Sequence, residues 1–201
     1  MTEVYRAGAS RFVEVVRGLD ADAVLAPVPA CPGWSVHDLL AHLAGSSTDV
    51  VRDETDGAAT PPWTARQVAE RQRTTTAELV AEWSANVEAV AATCEQPTPN
   101  PAWDVAVHLD DLREALGLPS GPREEGWGEV LVAALGFLER CAGVTASIEE
   151  DGPDLGSTTW HVATAYGLWR GLFSRRDRGS LEREVLRGDV ARFRRAAFFA
   201  D

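Results

Sequence analysis

The sequence contains no lysine: all 19 of its basic residues are arginine, a compositional bias of the kind a GC-rich genome produces. It has no run of about eighteen apolar residues free of charge, the length a membrane-spanning helix needs. Its most apolar region, Val130 to Val144, is broken by Glu139 and Arg140. The opening MTEVYRAGASRFVEVVRGLD lacks the basic start and unbroken apolar stretch of a signal peptide. The three cysteines, Cys31, Cys94 and Cys141, are far apart and odd in number, which excludes a disulfide framework and a CxxC metal pair. A reducing cytoplasm is the expected location. Basic runs are missing from the first 160 residues, and the formal net charge is -12. Such a field repels phosphate backbones and anionic lipid, so neither nucleic acid nor a membrane is expected as a partner. Internal repeats and low-complexity tracts are also lacking.

With 201 residues and 45% hydrophobic content, the chain can bury a core of one domain, or of one domain with a small appendage. Val4, Phe12, Val15, Val16 and Leu19 recur at helical spacing over residues 3 to 19, before a stretch with three prolines. In PGWSVHDLLAHLAG, Ser35 and Asp38 have the spacing of a capping box, which starts a helix at Val36. Gly45 either ends that helix or lies inside a longer one reaching toward Val51. Val68, Leu79, Trp83, Val87 and Val90 predict a long third helix, either whole or broken at Thr74 to Thr76. Val105, Leu109, Leu112 and Leu116 predict a fourth, ending at Gly117 and Pro119. Four amphipathic helices in about 118 residues without strand alternation point to an antiparallel four-helix bundle, a mainly α fold. Residues 127 to 147 read as a fifth helix, followed by the acidic loop EEDGPDLG. Beyond it, TTWHVA reads as a short strand, TAYGLWRGLFSRR as a helix, and LEREVLRGDVARFRRAAFF as one or two helical pieces. The expected domains are a bundle over 1–150 and a small C-terminal α or α/β unit over 151–201.

Asp104, His108 and Asp111 fall at i, i+4 and i+7, beside the apolar stripe of their helix. An aspartate and a histidine four apart can offer a carboxylate oxygen and an imidazole nitrogen to one ion. His42, on the flank of the second helix's stripe, is the candidate for a third ligand. Two histidines and one carboxylate leave a coordination position open, as a catalytic site requires. The same spacing also occurs on ordinary helix surfaces, and a buried histidine is commonly a satisfied core residue. His37, in the first turn of a capped helix, is expected to face solvent, and His161 is expected to pack.

Two segments carry a family resemblance. PVPACPGWSVHDLLAHLAG, residues 27 to 45, and WDVAVHLDDLREALGLP, residues 103 to 119, resemble motifs of the DinB-like, mycothiol-dependent maleylpyruvate isomerase family in content, order and separation. The resemblance implies a DinB-like bundle with metal ligands at His42, Asp104 and His108, and with Asp111 as a carboxylate that supports the ligands or the fold. The family's acidic ligand is usually glutamate; Asp104 is one methylene shorter and keeps the carboxylate. The C-terminal YGLWRGLFSRRDRGSLEREVLRGD resembles a segment common in relatives at Arg170, Arg175, Arg176, Gly188 and Asp189, with Ser174 in place of a glycine. Arg175 and Arg176 are thereby candidates to contact an anionic substrate, although exposed arginines on such a helix are more often solvated. Cys31 has no base beside it in sequence and is expected to be inert.

The resemblance implies an enzyme that uses a divalent metal, with zinc, nickel or iron as candidates, and mycothiol as thiol cosubstrate. Its partners would be mycothiol and a small electrophile, its reaction S-transfer or isomerisation, and its state a monomer or homodimer. Two other readings stay open at this stage: a non-catalytic binding module built on the same bundle, and a metal-dependent hydrolase that needs no thiol.

Overall fold

The computed structural model describes residues 1–123, 126–152 and 158–198. The chain divides into two compact units, Met1–Val130 and Leu131–Asp201. It is mainly helical, and among the described residues no helix is long and apolar enough to cross a membrane.

The first unit carries α1 (Thr2–Arg17), the short α2 (Ala21–Val24), α3 (Val36–Arg52), α4 (Pro61–Arg71), α5 (Thr76–Thr93) and α6 (Pro101–Ala115). Helix α3 packs on α4, α5 and α6, while α1 packs on α5 and α6. Thus α1, α3, α5 and α6 form the four-helix bundle, with α4 laid against α3. Its interior is built from the expected stripes: Phe12, Leu39, Leu40, Leu79, Trp83, Val90 and Leu112 are all fully buried. Phe12 meets Trp83 edge-on at 5.3 Å between centroids, and Trp83 Nε1 donates to the Tyr5 hydroxyl at 2.9 Å. That bond satisfies a donor that would otherwise be stranded in the core.

Helix starts follow local chemistry. Ser35 and Asp38 form the reciprocal capping box expected of them. A second box, Thr75 with Glu78, starts α5, so the long helix expected over residues 68–90 is two helices separated at Gln72–Thr75. Asn100 caps α6, with Pro101 in its first turn. Gly45 lies inside α3, which continues to Arg52.

The second unit begins within α7 (Trp127–Ala142). It then forms β1 (Ala146–Ile148), β2 (Trp160–Val162), α8 (Ala165–Leu172), α9 (Arg178–Glu184), β3 (Val185–Arg187) and α10 (Val190–Ala196). The sheet has the order β1-β2-β3, with β1 parallel to β2 and β2 antiparallel to β3. Two expectations are corrected here. The helix expected over 127–147 stops at Ala142, before a left-handed Gly143, and Ala146–Ile148 turns into a strand. The segment LEREVLR, expected to be helical, ends in β3 because its last residues complete the sheet edge. The expected loop EEDGPDLG begins with a 3₁₀ turn, Glu149–Asp151; its residues 153–156 lie outside the described residues.

Candidate metal centre

The segment Cys31-Pro32-Gly33-Trp34 forms a tight turn closed by Trp34 N donating to Cys31 O at 3.0 Å. Proline fits the second position, and the third requires a positive φ, which Gly33 supplies at 86°. The turn delivers its two end side chains to one place. Trp34 lies 5.4 Å from the His42 ring and stacks 6.2 Å from that of His108. Cys31 Sγ reaches Asp111 Oδ2 at 3.5 Å.

His42 stands in the middle of α3, and Asp104 and His108 stand one turn apart on α6. Because α3 and α6 are bundle neighbours, the three side chains converge. His42 Nε2 is 3.2 Å from Asp104 Oδ2, and His108 Nε2 is 3.3 Å from Asp104 Oδ1. The two imidazole rings are nearly perpendicular, 5.1 Å apart. Both histidine side chains are buried, whereas Asp104 keeps 26% of its side-chain surface exposed, so the cluster is open on the carboxylate's side.

Each histidine is gripped from behind by its other nitrogen. His108 Nδ1 donates to Asp111 Oδ2 at 2.8 Å, and Asp111 is fully buried. His42 Nδ1 donates to Gln67 Oε1 at 2.7 Å. With their Nδ1 protons committed, both rings turn Nε2 toward a carboxylate that can only accept, so neutral rings would set acceptor against acceptor. Acceptors facing acceptors in a buried site call for a cation between them, either protons or a metal ion.

The electrostatics agree. Burial disfavours the Asp104 carboxylate, but the facing His42 and His108 outweigh it and hold its carboxyl well below the usual range. Burial would push the His108 imidazole down, yet the Asp104 charge and hydrogen bonds to Asp104, Asp111 and Cys31 hold it well above its ordinary value. One donor atom from each of His42, Asp104 and His108 can be chosen so that all lie within 4.8 Å of one another. A tetrahedral ion with bonds of about 2.0–2.1 Å sets its ligands about 3.3 Å apart, close to the two nitrogen–oxygen separations. Two imidazoles and a carboxylate, backed by hydrogen-bonded carriers, fit a borderline divalent ion.

One expectation is corrected at this site, that for His37, and the surroundings of Cys31 and His161 are now defined. Cys31 is not remote from titratable groups; it donates toward Asp111, and with His108 and Asp111 it brings a second set of donor atoms within 4.8 Å. In that set His108 Nδ1 and Asp111 are already bonded to each other, so it serves as the support of His108. His37 is half-buried instead of solvated, with Nε2 bonded to Thr74 O at 2.8 Å, and lies apart from the cluster. His161 is buried in the second unit between Ser147 Oγ and Glu149 Oε2.

Arg175 and Arg176 also belong to the second unit and are half-buried. Arg175 Nη1 donates to Phe173 O at 2.9 Å, and the Arg176 guanidinium lies 5.7 Å over the Tyr166 ring. Just before them Ser174 adopts φ 59°, the left-handed conformation suited to the glycine it replaces. Its hydroxyl donates to Phe198 O at 2.8 Å.

Sequence reasoning missed Gln67, Trp34 and Trp63. Trp63 meets His42 edge-on at 6.1 Å, and its Nε1 is buried with no hydrogen-bond partner among the described residues. The available signal was the recurrence of Trp63, Gln67 and Arg71 every four residues on α4, which marks one face.

The family described as "Mycothiol maleylpyruvate isomerase N-terminal domain" matches residues 5–119. No curated protein and no solved structure matches the chain. The match covers more than half of the 201 residues and takes in α3, α6 and every side chain of the cluster, so the chain belongs to the mycothiol maleylpyruvate isomerase N-terminal domain family.

Proposed function

We propose that this chain is a mycothiol-dependent metalloenzyme, in which His42, Asp104 and His108 hold one divalent ion and the substrate is a small electrophile. The reaction is S-transfer, or isomerisation by thiol addition and elimination. The observation that carries this reading is the convergence of two imidazole Nε2 atoms on the Asp104 carboxylate, each ring held by an acceptor at Nδ1. A divalent ion with an open position supplies Lewis acidity that lowers the pKa of a thiol, making it a thiolate at neutral pH.

The chain's own residues do the rest. Asp111 and Gln67 orient the rings. Trp34 and Trp63 line the histidines and limit water on that side. Asp104, alone of the three in keeping substantial exposure, leaves the approach open. The unpartnered Trp63 Nε1–H is a donor suited to a polar atom of a bound molecule.

The test begins with metal analysis of protein purified without chelators. About one divalent ion per chain is expected, lost in His108→Ala and retained in His37→Ala, since His37 lies outside the cluster. Equal occupancy in the two variants would refute the ligand assignment. Mycothiol should then raise the thermal midpoint in a metal-dependent manner, because a ligand that binds only the folded state stabilises it. An analogue with oxygen in place of sulfur should do so much less; equal shifts would remove the thiol from the mechanism.

A further inference from the structure

Glycine inside a helix costs about 1 kcal/mol relative to alanine, and Gly45 sits in the middle of α3 in an ordinary helical conformation. Packing explains it. A Cβ at position 45 would come within 2.7 Å of Gln67 Cβ and 2.8 Å of Arg71 Nη1. The missing side chain is what lets α4 press onto α3. The contact is pinned from outside by Arg71, whose Nη2 pairs with Glu82 Oε1 of α5 at 2.7 Å.

This close approach buries Gln67 completely. Its amide has two unlike ends, and both are used: Oε1 accepts from His42 Nδ1 at 2.7 Å, and Nε2 donates to Asp49 Oδ2 at 2.6 Å. Asp49 is itself buried and also accepts from Arg66 Nη2 at 2.7 Å. A carboxylate can only accept, so the amide cannot be reversed without setting oxygen against oxygen. Its orientation dictates the proton on the other side: His42 carries hydrogen on Nδ1 and turns Nε2 toward Asp104.

We infer that Gln67, locked by Asp49, is a positioning residue that fixes the tautomer and aim of His42, so that the two histidines of the centre are unequal donors. His108 is backed by a carboxylate and His42 by a neutral amide, which makes His108 the more strongly donating ligand. The inference rests on the metal reading above for its consequence, while its cause is the hydrogen-bond relay from Asp49 through Gln67 to His42.

The experiment uses the full chain and zinc alone as the probe, with affinity measured by competition against a chromophoric chelator at a single pH. Gln67→Leu should weaken zinc binding by about 10–100-fold. Long-range proton–nitrogen NMR of the metal-free protein should find His42 protonated at Nδ1 in the wild type and should lose that tautomer in Gln67→Leu. Gln67→Glu alone opposes two carboxylates and should also bind weakly. Gln67→Glu combined with Asp49→Asn restores a donor at 49 and an acceptor at 67 with the same volumes, the part-exposed Arg66 turning from Oδ2 toward solvent, and should recover much of the affinity lost in Gln67→Glu. A purely structural role for Gln67 would leave the His42 tautomer unchanged in a folded Gln67→Leu protein. Wild-type zinc affinity in Gln67→Leu, or failure of the double variant to improve on Gln67→Glu, would overturn the inference. If the wild type itself fails to bind zinc, the metal reading falls, while the His42 tautomer still decides the role of Gln67.

Discussion

Binding of a metal to this centre should expel a proton, and the structure says which one. In the metal-free protein Asp104 holds its carboxyl well below the usual range and His108 is held well above its own. At neutral pH the pair is therefore carboxylate and imidazolium. An imidazole must be unprotonated to ligate, so the ion competes with the His108 proton. Asp104 is already ionised and contributes no proton. Below the raised value of His108, each pH unit should then change zinc affinity by about tenfold, or about 1.4 kcal/mol. Two pH units of rise below that raised value should thus strengthen binding about 100-fold, or about 2.7 kcal/mol. Calorimetric titration in two buffers of different ionisation enthalpy counts the released protons directly, and at least about one per ion is expected. Affinity that is flat across that range of pH, with no proton released, would refute the assignment of His108 as a ligand. The metal-free fold should respond in the opposite sense. Stability derived from the raised His108 is complete below the ordinary histidine value and is lost as pH rises through the raised one. Stability derived from the depressed Asp104 is present above the ordinary aspartate value and is lost as pH falls through the depressed one. The metal-free protein should thus weaken toward alkaline pH, and bound zinc should remove that weakening.

Two further outcomes concern the bundle. Trp83→Ala removes a fully buried indole that packs on Phe12 and bonds Tyr5, and should cost about 3–5 kcal/mol in urea unfolding; a loss below about 1 kcal/mol would mean the core can close around the gap. Ser35→Ala deletes the side-chain cap of α3 and should cost about 1 kcal/mol by the same measurement, and an unchanged midpoint would show that Asp38 alone suffices to start the helix.

What could be read from residue order was what local chemistry decides. Capping at Ser35, the apolar stripes of the bundle helices and the i, i+4 pair of Asp104 and His108 are each settled within a few turns of chain. His42 could be placed on the flank of its stripe, and the structure sets it beside that pair. The remainder depends on contacts between segments far apart in sequence. Gln67 is 25 residues from His42, and nothing in its neighbourhood says that a glycine on α3 will admit it. Cys31 meets Asp111 across 80 residues, so a reading confined to its own loop finds it without a partner. The strand β3 follows a helical sequence without a break in composition, and only the exposed edge of β2 explains why the chain extends there.

The turn at Cys31–Trp34 has a consequence for observation. It holds an indole against both histidines of the centre, stacked on one and tilted on the other, and α4 brings a second indole edge-on to His42. A charged imidazole quenches a neighbouring indole's emission, and a change in what the imidazole holds alters that quenching. A proton or an ion gained between the rings should therefore change the emission of Trp34 and Trp63, a readout of the site that needs neither label nor substrate.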